Sequence, residues 1–92
     1  MSRPRSARTR EPDSFDLHFE ADAASDALLR VLAFALTLSL TPQRICAERK
    51  GDWFQAELAF DRSGERPAQL LLGKTAAIVS VRQARLTGYP EI

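Results

Sequence analysis

From Phe15 to Glu20 the chain alternates strictly, with Phe15, Leu17 and Phe19 on one face and Asp16, His18 and Glu20 on the other. A period of two marks a half-buried strand. After the small-residue stretch Ala21 to Ser25 the period changes. In Asp26 to Leu40, DALLRVLAFALTLSL, the residues Leu28, Val31, Leu32 and Ala35 repeat at helical spacing. Leu29, Ala33 and Phe34 widen the apolar surface beyond one ordinary amphipathic stripe. Ser25 or Asp26 is the expected N-cap. Pro42 cannot continue a helix, so the helix is predicted to end near Thr37 or Leu38.

Alternation then returns. Between Gln43 and Arg49, Ile45 and Ala47 point one way while Arg44, Cys46 and Glu48 point the other. Lys50-Gly51-Asp52 reads as a hairpin turn, with Gly51 supplying a positive φ. The return strand runs from Trp53 to Asp61, with Phe54, Ala56, Leu58 and Phe60 on its core face. Arg62-Ser63-Gly64 is a loop. Ala68, Leu71, Leu72 and Thr75 recur at helical spacing, so a second helix is predicted from Glu65 to Gly73 or Lys74, with Pro67 in its first turn. Ile78 to Leu86 reads as a last strand, Val79 and Val81 being its expected core residues.

The order β-α-β-β-α-β is the ferredoxin-like arrangement, an α+β fold with a four-stranded antiparallel sheet and both helices on one face. The opposite face is left polar. Phe15, Phe19, Ile45, Phe54, Leu58 and Phe60 are expected to lie under the long apolar helix. That helix carries more apolar surface than the short second helix can cover. Leu29, Ala33 and Leu36 or Leu40 are therefore candidates for a partner interface. Trp53, the large aromatic on the polar side just after the hairpin, is a fourth.

Composition adds limits. Ninety-two residues make one domain, divided into an Arg-rich tail (1–13) predicted disordered, a folded unit (14–86) and a short C-terminal tail (87–92). The net charge of +1 hides a tail carrying +4 over its first ten residues, so the remainder is mildly acidic. No basic face of a nucleic-acid binder is visible. The apolar run of about 14 residues is too short for a bilayer, which takes about 20. One cysteine, Cys46, excludes an intramolecular disulfide and suits a reducing, cytoplasmic compartment.

Little in the chain points to catalysis. Gly73-Lys74-Thr75 has the ending of a phosphate loop, but the glycine needed five residues earlier is Ala68 and the intervening residues are helical. His18 and Cys46 fall on strands that a third strand separates, roughly 10 Å apart, so no metal site is expected. Asp16, Glu20, Glu48 and Glu57 read as a solvated charged face rather than an acid–base pair. No catalytic residue and no cofactor is assigned.

A strand passing through a small-residue loop into Asp26-Ala-Leu-Leu-Arg-Val-Leu32 resembles an ACT domain, a small regulatory module that binds amino acids. Leu28-x-Arg30-Val31-Leu32 is similar to the first helix of the small regulatory subunit of acetolactate synthase, and Leu72-Gly-Lys74-x-x-x-Ile78-x-x-Val81 to its second helix and last strand. The resemblance covers Phe15 to Leu86. It implies a non-catalytic subunit, homodimeric through its sheet, that modulates the thiamine-diphosphate-dependent catalytic large subunit of acetolactate synthase. The alternative it implies is a stand-alone amino-acid sensor. An amino-acid effector would then sit at Asp22, Ala23, Ala24, Ser25 and Asp26. Many ACT domains have glycine at the start of the first helix, where this chain has Ser25 or Asp26, and glycine at its end, where it has Thr37-Leu38-Ser39. An acidic side chain at the helix start opposes the carboxylate of a free amino acid.

Overall fold

The computed structural model describes residues 14–61 and 65–88. The predicted Arg-rich tail, the loop at 62–64 and the end of the predicted C-terminal tail lie outside these residues. Six elements follow in order: β1 (Phe15–Asp22), α1 (Ala27–Thr37), β2 (Pro42–Lys50), β3 (Trp53–Phe60), α2 (Glu65–Ala76) and β4 (Val81–Thr87). The strands form one antiparallel sheet in the order β2-β3-β1-β4. This is the ferredoxin-like arrangement expected from the pattern.

β1 lies inside the sheet, and its alternation decides which face is core. Phe15, Leu17, Phe19 and Ala21 are buried, while Asp16, His18 and Glu20 are half-buried on the other face. Phe15 pairs with Phe60 of β3, and the two rings stack with centroids 4.9 Å apart. Phe19 meets Phe54 edge to face at 5.9 Å. Ala27, Val31 and Ala35 from α1 and Ala68 and Leu71 from α2 close the core from above.

α1 ends in a Schellman motif. Leu40 N–H donates to Ala35 C=O at 2.8 Å and Ser39 N–H to Leu36 C=O at 3.0 Å. Both bonds require a left-handed residue between helix and strand, and Ser39 takes it with φ 62°. Leu40 folds back into the core beside Ala35 and is buried, so it leaves the candidate interface. Leu29, Ala33 and Leu36 are exposed.

Three expectations are corrected. α2 does not stop at Gly73 or Lys74 but runs to Ala76. Leu71 and Thr75 lie one turn apart and are fully buried, and the Thr75 hydroxyl donates to the Leu71 carbonyl at 2.8 Å. Burial of that face outweighs the low helix propensity of one glycine. The last strand consequently starts at Val81 rather than Ile78, and Val79 sits fully exposed in the preceding turn. Val81, Ala84 and Leu86 pack against the core instead. Ile45 is 47% exposed, because the helices do not extend over β2.

Ser39 and Gly73 have exchanged glycine preferences. Ser39→Gly removes a side chain from a left-handed position, and Gly73→Ala fills a helical one where an added Cβ would meet nothing within 4 Å. Each substitution is expected to stabilise the fold by about 0.5–1 kcal/mol. Thermal unfolding should show each raising Tm by roughly 2–8 °C.

Candidate functional site

The β1–α1 loop is held from both sides. Asp22 N–H donates to Ser80 C=O at 3.0 Å, ahead of β4, and Ala23 N–H to Asp52 C=O at 2.9 Å, in the β2–β3 turn. Within the loop the Asp22 carboxylate accepts from Ala24 N–H at 2.9 Å. Ser25 N–H and the Ser25 hydroxyl both donate to Asp22 C=O, at 3.0 and 2.8 Å. Ser25 Oγ in turn accepts from Ala27 N–H at 3.3 Å. Ser25 therefore supplies the side-chain bond at the helix start. Asp26 makes no capping bond and pairs instead with Arg30, whose Nε lies 3.0 Å from Oδ1.

The five residues expected to hold an effector are split between two hollows. Asp22, Ala23 and Ala24 face one of about 350 Å³ with Arg49, Asp52 and Trp53. Ser25 and Asp26 face another of about 520 Å³ between the helices, with Arg30, Phe34, Lys74, Ile78 and Val79. In the second hollow Lys74 Nζ stands 5.3 Å from the Phe34 ring centroid. An acid and two bases thus border apolar side chains. That is the mixture a zwitterion with a hydrocarbon side chain requires.

The polar face of the sheet holds a third hollow, of about 490 Å³, around His18, Glu20, Cys46, Gln55, Glu57 and Arg85. Here the register assembles what spacing along the chain does not reveal. His18 stands opposite Glu57, and donor atoms of Asp16, His18 and Glu57 lie within 4.8 Å of one another. His18 Nε2 also lies 2.8 Å from Thr87 Oγ1. Three donors are enough to approach a divalent cation, but Arg44 is 3.4 Å from Glu57 and opposes one by like charge. Along the chain, the charged residues on the same strand face as His18 are Asp16 and Glu20. Its partner Glu57 follows from the strand register.

A family model described as an ACT-like domain matches residues 9–91. The chain belongs to this ACT-like family. No curated protein matches it by sequence. Among solved structures, it is similar to the ACT domain from GTP pyrophosphokinase of Chlorobium tepidum, with a TM-score of 0.70 at 9% identity, over 82% of this chain and 97% of that one. The C-terminal domain of the MgtC protein from Mycobacterium tuberculosis gives a TM-score of 0.65 at 11% identity, over 80% and 84%. A formyltetrahydrofolate deformylase from Pseudomonas putida KT2440 gives 0.59 at 13% identity, over 83% of this chain but 29% of that one. At these identities the likeness is one of fold. None of these three is an acetolactate synthase subunit, and the narrower resemblance gains nothing from them.

Of the residues expected at a partner interface in this ACT-like domain, Leu29 and Leu36 are 70% and 64% exposed. Trp53 is half-buried, and the Arg82 guanidinium lies over its ring at 3.9 Å. Arg82 also donates to Glu20 at 2.9 Å, and Gln55 donates to the other Glu20 oxygen at 3.0 Å. Among the described residues no helix is long and apolar enough to cross a membrane.

The hydrogen bond from Gln55, followed by that from Arg82, holds the Glu20 carboxyl below its usual 4.5. A carboxyl whose pKa is lowered by folding stabilises the fold above its unfolded value, and that stabilisation is lost as pH falls through the folded one. Glu20→Gln should be less stable than the parent near neutral pH. The gap should close as pH is taken down from 4.5, measured as urea midpoints across a pH series.

Proposed function

We propose that this chain is a non-catalytic regulatory module that senses a free amino acid in the hollow between α1 and α2. The match to the ACT-like family over residues 9–91 carries this reading, because it covers nearly the whole chain. The hollow supplies the chemistry. Asp26 can receive the ligand ammonium, Arg30 and Lys74 its carboxylate, and Phe34, Ile78 and Val79 an aliphatic side chain. The acidic charge at the helix start is offset by Arg30 at 3.0 Å, which reduces its repulsion of a carboxylate.

Modulation of an acetolactate synthase large subunit is the narrower alternative. It rests on the likeness of two short stretches, at the first helix and from the second helix to the last strand, whereas the family match supports the sensor reading, which is preferred.

Calorimetric titration of the purified chain with each of the twenty amino acids tests the proposal. At least one aliphatic amino acid should bind with a Kd between about 1 μM and 1 mM. Asp26→Asn and Lys74→Met should each weaken it by about tenfold or more, equivalent to about 1.4 kcal/mol. Silence across the panel overturns the sensor reading. Binding unaffected by both variants moves the site elsewhere.

A further inference from the structure

We propose that Asp16, His18 and Glu57 bind a divalent transition-metal cation, Zn²⁺ above all, on the polar face of the sheet. Donor atoms of the three lie within 4.8 Å of one another, and all three side chains are half-buried. They stand on β1 and β3, the two strands with a paired neighbour on each side. His18 faces Glu57 across the register, and Asp16 precedes His18 by two residues on the same face. Ligands carried by such interior strands are held more precisely than ligands on loops.

The imidazole separates this group from an ordinary acidic patch. Carboxylates alone favour hard cations such as Mg²⁺ and Ca²⁺, whereas a ring nitrogen shifts the preference to Zn²⁺ and its neighbours. His18 Nε2 lies 2.8 Å from Thr87 Oγ1. With the Nε2 proton donated to that hydroxyl, Nδ1 keeps its lone pair for a metal. A hydrogen bond to the second ring nitrogen is the usual orienting contact of a metal-bound histidine. Around a tetrahedral zinc, with bonds of about 2.0–2.1 Å, neighbouring donors stand about 3.4 Å apart. Rotation of the two carboxylates about their terminal torsions, which have broad wells, closes the remaining gap. Three protein ligands leave the fourth position to water or a small anion, and the hollow of about 490 Å³ beside His18 and Glu57 has room for it.

The surrounding charges are balanced rather than prohibitive. Glu20 does not join the set, because its two oxygens already accept from Gln55 and Arg82. Arg44 is the competitor, with Nη2 at 3.4 Å from Glu57 Oε2 and Nη1 at 3.3 Å from Cys46 Sγ. Cys46 pairs with Glu57 from β2 and His18 pairs with it from β1. Arg44 therefore reaches Glu57 from the side away from His18, and the carboxylate has a second oxygen for the cation. Arg85, opposite His18 on β4, is a further like charge. Both arginines are exposed, so solvent and salt screen them. They weaken the site without closing it. The hollow between the helices lies on the other side of the sheet, and this site does not depend on the amino-acid reading.

Calorimetric titration of the full chain with zinc chloride should show one Zn²⁺ per chain, with a Kd of about 10 μM or tighter. Mg²⁺ should not displace it. His18 is the sole histidine, so its ring resonances report the site directly and should shift as zinc is added. His18→Asn and Glu57→Gln should each weaken binding about tenfold or more, while melting like the parent in the presence of EDTA. Arg44→Gln should bind more tightly, since it removes a like charge. Cys46, the sole cysteine, is the rival ligand. Cys46→Ser should bind zinc as the parent does, and the Co²⁺-loaded chain should show d–d bands with no thiolate charge-transfer band. No binding tighter than about 100 μM, His18 resonances that stay in place, or binding lost in Cys46→Ser would each overturn the proposal.

Discussion

Burial of one face of β1 is the constraint on which the rest of this structure depends. Phe15, Leu17, Phe19 and Ala21 are at most 2% exposed, and β1 is paired on both sides. A slip of one residue would drive Asp16, His18 and Glu20 into the core and expose three large apolar side chains. Burying even one of the two carboxylates, Asp16 or Glu20, without partners costs about several kcal/mol. The register against β3 and β4 is thereby fixed, and with it the placement of His18 beside Glu57 and of Glu20 between Gln55 and Arg82. The polar face is organised by the needs of the apolar one.

Features set by near neighbours were legible in the sequence. The alternation of β1 and β3, the helical spacing of α1 and the Gly51 turn all came out where the pattern placed them. Features set by distant partners were not. Gly73 looks like a helix end until Leu71 and Thr75 are seen to be buried on the same side. Val79 and Ile45 have the residue type of a core, but one falls in a turn created by the longer helix and the other lies beyond its reach. The same limit hid Glu57 from His18, since strand order and register bring them together across 39 positions of chain.

At both ends of α1, where many ACT domains carry glycine, this chain has other residues, Ser25 or Asp26 at the start and Thr37-Leu38-Ser39 at the end, with different consequences. At the C-terminal end Ser39 accepts a left-handed backbone so that Leu40 can enter the core, a local cost offset by burial. At the N-terminal end Ser25 adds hydrogen bonds. The first substitution touches stability and leaves the surface as it was. The second alters what the loop can offer a ligand.

A glycine-bearing loop offers bare backbone amides to an anion at a helix N-terminus. Here those of Ala24, Ser25 and Ala27 already donate to Asp22 Oδ1, Asp22 C=O and Ser25 Oγ. A carboxylate arriving at this loop would have to displace bonds that the chain makes with itself, at no net gain in hydrogen bonding. Recognition of a carboxylate near α1 therefore falls to side chains, and Arg30 and Lys74 border the hollow on the inter-helix side. On the proposed sensor reading, the favourable position for a ligand lies in the space between the helices rather than at the loop backbone.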